Sequence, residues 1–419
     1  MRKLSNLKDN VLFVNISSQG LVQFANYLIP LLLIPYVTRV LGPDAFGRAS
    51  YAQNIGAYLT LLVNYGFEFS ATQEVSIHKN NPAKVQSIFS TVIAFKFALF
   101  VLSLALVAGL AAVDYRVRED FSSVLIVSLV NFGWVLFPTW FFQGIEHMVK
   151  MSVFSFFVKL FGALLVIAMV HRPSDYQLYL LGLTLANVCV GGYSFYYVMH
   201  KYGVRLERPQ PFGSAQVVRK GFPIFINTIL VNCNTMLGIY VMGRYLTDAE
   251  IGAYSGAQKI IMAVMMITCQ TVTIALFPRI SSYFHESKEK GLAYLKKCIL
   301  LISIFSLAVS AVTFLLAPLV VSILLGNDFS DAVFLLRLLS PLTFLMTMAT
   351  TLTVQGLYGM QLQRFAPLIG LAVCVCSVSL NCVLIPKEGA AGSVYAWLVC
   401  ELVEISIAVG LLWWKKDAK

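Results

Sequence analysis

A chain of 419 residues that is 58% hydrophobic and only 12% charged has too little charge to clothe a water-soluble globule of its size, because soluble domains are about 25% charged. Continuous apolar runs of about 20 residues also exclude a barrel of alternating strands and point to helices that cross a bilayer. The formal net charge of +11 follows the loops between those runs, so it does not indicate a nucleic-acid partner.

The first ten residues are polar and basic, and the apolar run after them continues to Tyr36. It is therefore expected to be a full span and not a cleavable leader. Taken in order, the apolar windows predict spans at 13–36, 48–70, 87–111, 122–143, 151–170, 177–198, 222–242, 251–276, 298–325, 333–356, 365–385 and 391–413. Pro30 and Pro35 each remove a backbone hydrogen bond, so the first span should bend. The longest polar connection, 199–221, contains Pro209, Pro211 and Gly213 and separates six spans from six. The expected fold class is an all-α integral membrane protein of about twelve transmembrane helices, with one six-helix bundle over 1–205 and a second over 206–419.

Charge sets the expected orientation. With the N-terminus in the cytoplasm, 20 of the 31 lysines and arginines fall in cytoplasmic segments, 8 on the opposite side and three inside helices. The positive-inside rule then puts both termini in the cytoplasm. Trp413 and Trp414, followed by Lys415 and Lys416, form an interface anchor at the expected place. The eight cysteines lie almost all in apolar runs without CxxC spacing and read as small packing residues. The five histidines sit in loops or at helix ends, so neither a metal cluster nor a cofactor is expected.

The two halves resemble each other. At an offset of 205, RVLGPDAFGRASYAQNI (39–55) lies over RYLTDAEIGAYSGAQKI (244–260) with seven identities, among them Gly47/Gly252, Ser50/Ser255 and Gln53/Gln258. FQGIEHM (142–148) lies over VQGLYGM (354–360) at an offset of 212, with Gln143/Gln355 and Gly144/Gly356 identical. An even number of spans separates the copies, so both halves face the same way. The expected relation is a pseudo-two-fold axis along the membrane normal, one of the known transporter plans.

The LGPDAFGRASYAQNI stretch, NYGFEFSATQEVS (64–76) and LLGNDFSDAVFLLRLLSP (324–341) are similar to the polysaccharide-synthesis branch of the MOP exporter superfamily, which includes the O-antigen (Wzx-like) flippases. The resemblance runs over essentially the whole chain. It implies export of an undecaprenyl-pyrophosphate-linked oligosaccharide across a bacterial inner membrane, through a V-shaped cavity that alternates between inward-open and outward-open states. A polysaccharide polymerase and a chain-length regulator are the protein partners it suggests, alongside membrane lipids.

A charged side chain at the centre of a membrane helix costs about 2.5–3.5 kcal/mol on insertion scales, so each one needs a reason. The candidates are Glu68, Lys96, Lys159, Lys259, Glu401 and Glu404, with Arg48 at the outer start of the second span. Lys259 shares a face with Gly252, Ser255, Gly256 and Ala263, and its repeat partner is Asn54. A pyrophosphate carries about two negative charges, which lysine or arginine meets well. Lys259, Lys159, Arg48, Asn54 and Lys96 are therefore the candidate substrate contacts, against the simpler reading that such lysines snorkel to the interface. Glu401 and Glu404 lie three apart on one helix face and, with Glu68, are the candidates for ion coupling; structural pairing with neighbouring lysines is the competing reading.

The sequence has no Walker A motif, catalytic triad or metal motif, so an enzyme is not expected and an ion gradient is the expected energy source. One alternative is a MATE-like small-molecule or cation antiporter, against which the intramembrane lysines argue. The other is a membrane glycosyltransferase or polymerase, for which no extramembrane loop is long enough.

Overall fold

The computed structural model describes residues 2–207 and 215–414, with the side chains of all of these except 2–28, 30, 215, 270–275, 277, 278, 281, 288 and 363. Among them every regular element is a helix. Among the described residues nine helical stretches are long and apolar enough to cross a membrane, and a tenth span forms if Asn327–Leu339 and Pro341–Leu357, bent by 41°, are taken together. The first expected span and most of the second lie in the helix Arg2–Asn64. Of the features expected from sequence, Pro209, Pro211, Gly213, Lys415 and Lys416 lie outside the described residues, whereas Trp413 and Trp414 are exposed at the end of the last helix.

The outward face of these helices is hydrocarbon-like. On Lys288–Leu324, Leu300, Ile304, Leu307, Leu315 and Ile323 point outward, and Leu315 is 71% exposed. A stripe this long would be an aggregation surface in water, but in a bilayer it is the solvated side.

Several expected spans are broken, for local backbone reasons that hydropathy does not register. The first helix passes residues 30 and 35 in helical backbone and breaks at Gly42, where φ is +70°, a region glycine enters without a Cβ penalty. The second expected span, 48–70, ends at Asn64: Tyr65 and Gly66 both have positive φ, and a separate helix, Phe67–His78, follows. The fourth, 122–143, is three short pieces, Phe121–Ser128, Val130–Leu136 and Thr139–Gly144, the last preceded by Pro138. The tenth bends before Pro341 and ends in a π-helical turn, Thr351–Leu357.

The chain divides into two compact units. One comprises Met1–Leu41 with Tyr51–Thr228, and the other Gly42–Ser50 with Ile229–Lys419. The first has an aromatic core in which Phe89, Trp140, Phe141 and Phe142 are fully buried. Phe89 and Phe141 meet edge to face with ring centroids 5.7 Å apart, an arrangement aromatic quadrupoles favour. In the second unit the two repeat copies cross at their shared glycines. A Cβ on Gly47 would lie 1.8 Å from the Asp248 carbonyl oxygen, and one on Gly252 would lie 2.1 Å from that of Pro43. The repeat thus marks a backbone-on-backbone contact that only glycine permits.

Candidate translocation site

Within the first unit, the break at Tyr65–Gly66 puts Glu68 in the first turn of a new helix, where its Oε1 accepts a hydrogen bond from Thr139 Oγ1 at 2.7 Å. Lys96, on Pro82–Val113, is 2% exposed, and its Nζ donates to the Trp134 carbonyl at 2.7 Å. That carbonyl is available because the residue four positions on is Pro138, which has no N–H to return. Glu68 lies close enough to interact with the Lys96 charge. The acid and the base, 28 residues apart in sequence, are thus both tied to the stretch 134–139 of the same unit.

The other candidates of this unit stand apart. Lys159 is half-buried at the middle of Met148–Met169 and has no hydrogen-bond or ion-pair partner among the described residues. Asn54 is 8% exposed, and its Oδ1 is unpartnered among the described residues.

In the second unit, Arg48 Nε meets Asp248 Oδ2 at 2.8 Å. Asp248 sits in the first turn of Asp248–Glu286, behind a capping box formed by Thr247 and Glu250, where a carboxylate also suits the helix dipole. Lys259 places its Nζ 4.5 Å from the centroid of the Phe46 ring, within cation–π range. The small face on which it lies is largely packed: Gly252 meets Pro43, Gly256 would meet Leu325, and Ser255 is 1% exposed. Glu401 is 5% exposed and accepts from Trp397 Nε1 at 3.0 Å, with Glu404 half-buried one turn on.

Sequence reasoning missed four features of this polar inventory. Glu74 is 4% exposed and pairs with Lys220 at 2.7 Å, 146 residues away. Asp248 and Thr139 hold two of the candidates. Gln355 is fully buried in the π-helical turn, with both amide atoms unpartnered among the described residues. The one available signal was its repeat relation to Gln143, since nothing local distinguishes a partnered from an unpartnered glutamine. π-helical turns recur at functional sites.

The sequence profile of the family described as "Polysaccharide biosynthesis protein" matches residues 12–284. Two curated proteins named "Putative O-antigen transporter" are similar along their length. That of Escherichia coli (strain K12) is 29% identical over 355 residues, covering 84% of this chain and 83% of its own. That of Shigella dysenteriae is 27% identical over 334 residues, covering 77% and 79%. Among solved structures, the lipid II flippase MurJ in an inward closed conformation superposes with a TM-score of 0.74 at 11% identity, covering 94% of this chain and 87% of its own. An inward-facing multidrug resistance MATE family transporter of the MOP superfamily gives 0.68 at 13% identity, covering 97% and 100%. At such identities the likeness to the solved structures is one of fold. The match of the family profile covers well over half of the chain, and this multi-pass membrane protein belongs to the polysaccharide biosynthesis protein family.

Proposed function

We propose that the protein is a flippase for an undecaprenyl-pyrophosphate-linked O-antigen repeat unit, working by alternating access in the bacterial inner membrane and driven by an ion gradient. The names of the two curated relatives and the fold shared with a lipid flippase support the substrate class. Lys159 is the observation that carries the reading beyond them. It is the twelfth of 22 helical residues, about 15 Å from either end at 1.5 Å per residue, which is too far for its stem to reach an interface. A half-buried ammonium at this depth with no counter-ion among the described residues calls for an anion from outside the protein, and a diphosphate is such an anion. Glu401 and Glu404 are the proposed coupling pair, because two carboxylates on one apolar helix hold a proton or cation more readily than either alone.

Depletion of this protein in a strain without a substitute flippase is expected to abolish the surface polymer, because a hydrophilic glycan does not cross hydrocarbon unaided. Immunoblotting of the surface polysaccharide checks it, and unchanged polymer would refute the reading.

The proposed orientation has both termini and the 199–221 connection in the cytoplasm. Cysteines introduced into that connection should stay unlabelled by impermeant maleimide in intact spheroplasts and react after lysis. Labelling before lysis would reverse the orientation.

A further inference from the structure

The first unit has a cleft of about 510 Å³ between the helices Phe67–His78 and Thr139–Gly144. Its lining includes Glu68, Phe69, Thr72, Gln73, Ser76 and Gln143, and no lysine or arginine. From this geometry we infer a saccharide subsite, which receives the sugars of the glycan while the diphosphate is bound elsewhere. The inference rests on the transport function proposed above and adds where the sugar is read.

Charge excludes the diphosphate. A lining whose one ionisable group is a carboxylate repels a diphosphate. The rest of the lining is apolar at Phe69 and Ile77 and neutral and hydrogen-bonding at Thr72, Gln73, Ser76 and Gln143. The Gln73 amide, the Ser76 hydroxyl and the second carboxylate oxygen of Glu68 have no hydrogen-bond partner among the described residues. Thr72 is tied back to the Glu68 carbonyl at 2.6 Å, and its hydroxyl lies 3.4 Å from Gln143 Oε1, which fixes the floor. An amide supplies two donors and an acceptor, a carboxylate supplies acceptors, and each sugar hydroxyl is both donor and acceptor.

The aromatic rim fits as well. Phe69 is 69% exposed at the edge of the cleft, where its ring offers an apolar face to the C–H face of a pyranose. The volume is within the range of small-ligand sites, about 300–1,000 Å³. The cleft lies on the helix that leads into the Lys79–Glu146 ion pair, the end that the charge distribution assigns to the cytoplasm, where the lipid-linked glycan is loaded.

The test uses the full chain in nanodiscs and two probes: undecaprenyl-pyrophosphate-linked cognate oligosaccharide, and undecaprenyl pyrophosphate without sugar. Gln73 and Ser76 are exposed, so Gln73→Ala and Ser76→Ala are expected to fold. Each should weaken the glycan-bearing lipid roughly three- to tenfold, the loss of one hydrogen bond, and leave the sugar-free lipid unchanged. Equal loss for both lipids, or no loss for either, overturns the cleft assignment while leaving transport intact. Displacement of the glycan lipid by tetraphenylphosphonium, sensitive to Gln73→Ala, overturns it in favour of an organic-cation site. A wild-type protein that binds neither lipid sinks the transport reading itself, and the subsite with it.

Discussion

Gly47→Ala should remove most of the folded protein from the membrane. The new Cβ would lie 1.8 Å from the Asp248 carbonyl oxygen, 2.8 Å from its carbon and 2.9 Å from the Gly252 nitrogen. All three are backbone atoms, so no flexible side chain can swing aside, and the crossing must open. Overpacking of this kind typically costs about 1–3 kcal/mol, and here the relief requires shifting two helices against each other. Opening the crossing would also disturb the Arg48–Asp248 pair and the Phe46 ring beneath Lys259, both on the same segment. Gly252→Ala should behave alike, since its Cβ would meet the Pro43 carbonyl at 2.1 Å. Gly109 is the control: nothing lies within 4 Å of a Cβ there, and Gly109→Ala should be neutral. Fluorescence-detected size-exclusion chromatography and thermal melting in detergent separate these outcomes. Wild-type levels and melting for Gly47→Ala would mean that the repeat copies do not pack this tightly.

Lys259→Ala is expected to cut export about tenfold or more while the protein remains inserted. If the ammonium contacts the diphosphate, the lost charge-assisted bond is worth roughly 1.5–3 kcal/mol. Lys259→Arg keeps the charge and should keep much of the activity, and Lys259→Glu should be worse than alanine through repulsion. Lys159 is the second proposed contact, so the double change Lys159→Ala with Lys259→Ala should exceed either single one. A purely structural lysine, stacked on Phe46, gives a different pattern: the protein level falls with the charge, and export per molecule stays constant. Surface polymer and membrane protein level, measured side by side, distinguish the two. Full export by Lys259→Ala at normal level would remove this residue from the site.

The membrane class was legible in the sequence because it depends on sums: apolar content over 20 residues and total charge. The breaks were not, because Gly42, Tyr65 and Gly66 interrupt helices through single backbone angles that leave the hydropathy window unchanged. The match of Gly47 to Gly252 at one offset had a structural meaning, since the two glycines meet in space. The individual candidates were identifiable as charges in apolar runs, but their partners were not. Asp248 is 200 residues from Arg48 and Trp134 is 38 from Lys96, and no periodicity connects such pairs. Lys96 illustrates the consequence: its ammonium is turned into the helical unit toward a carbonyl left open by Pro138, a fact that depends on two helices lying side by side. Gln355 was hidden for a related reason, because its burial without a partner is a property of the π-helical turn and not of its neighbours in sequence.

The most direct test of the central claim is the leaflet in which the lipid-linked oligosaccharide resides. Spheroplasts depleted of this protein, and lacking any substitute flippase, should accumulate lipid-linked repeat units that an externally added glycan-binding lectin cannot reach until the membrane is permeabilised. Restoring the wild-type chain should move them to the outer leaflet within the time of re-expression. Lectin-accessible lipid-linked oligosaccharide in the depleted spheroplasts, at the level of the restored strain, would contradict the account.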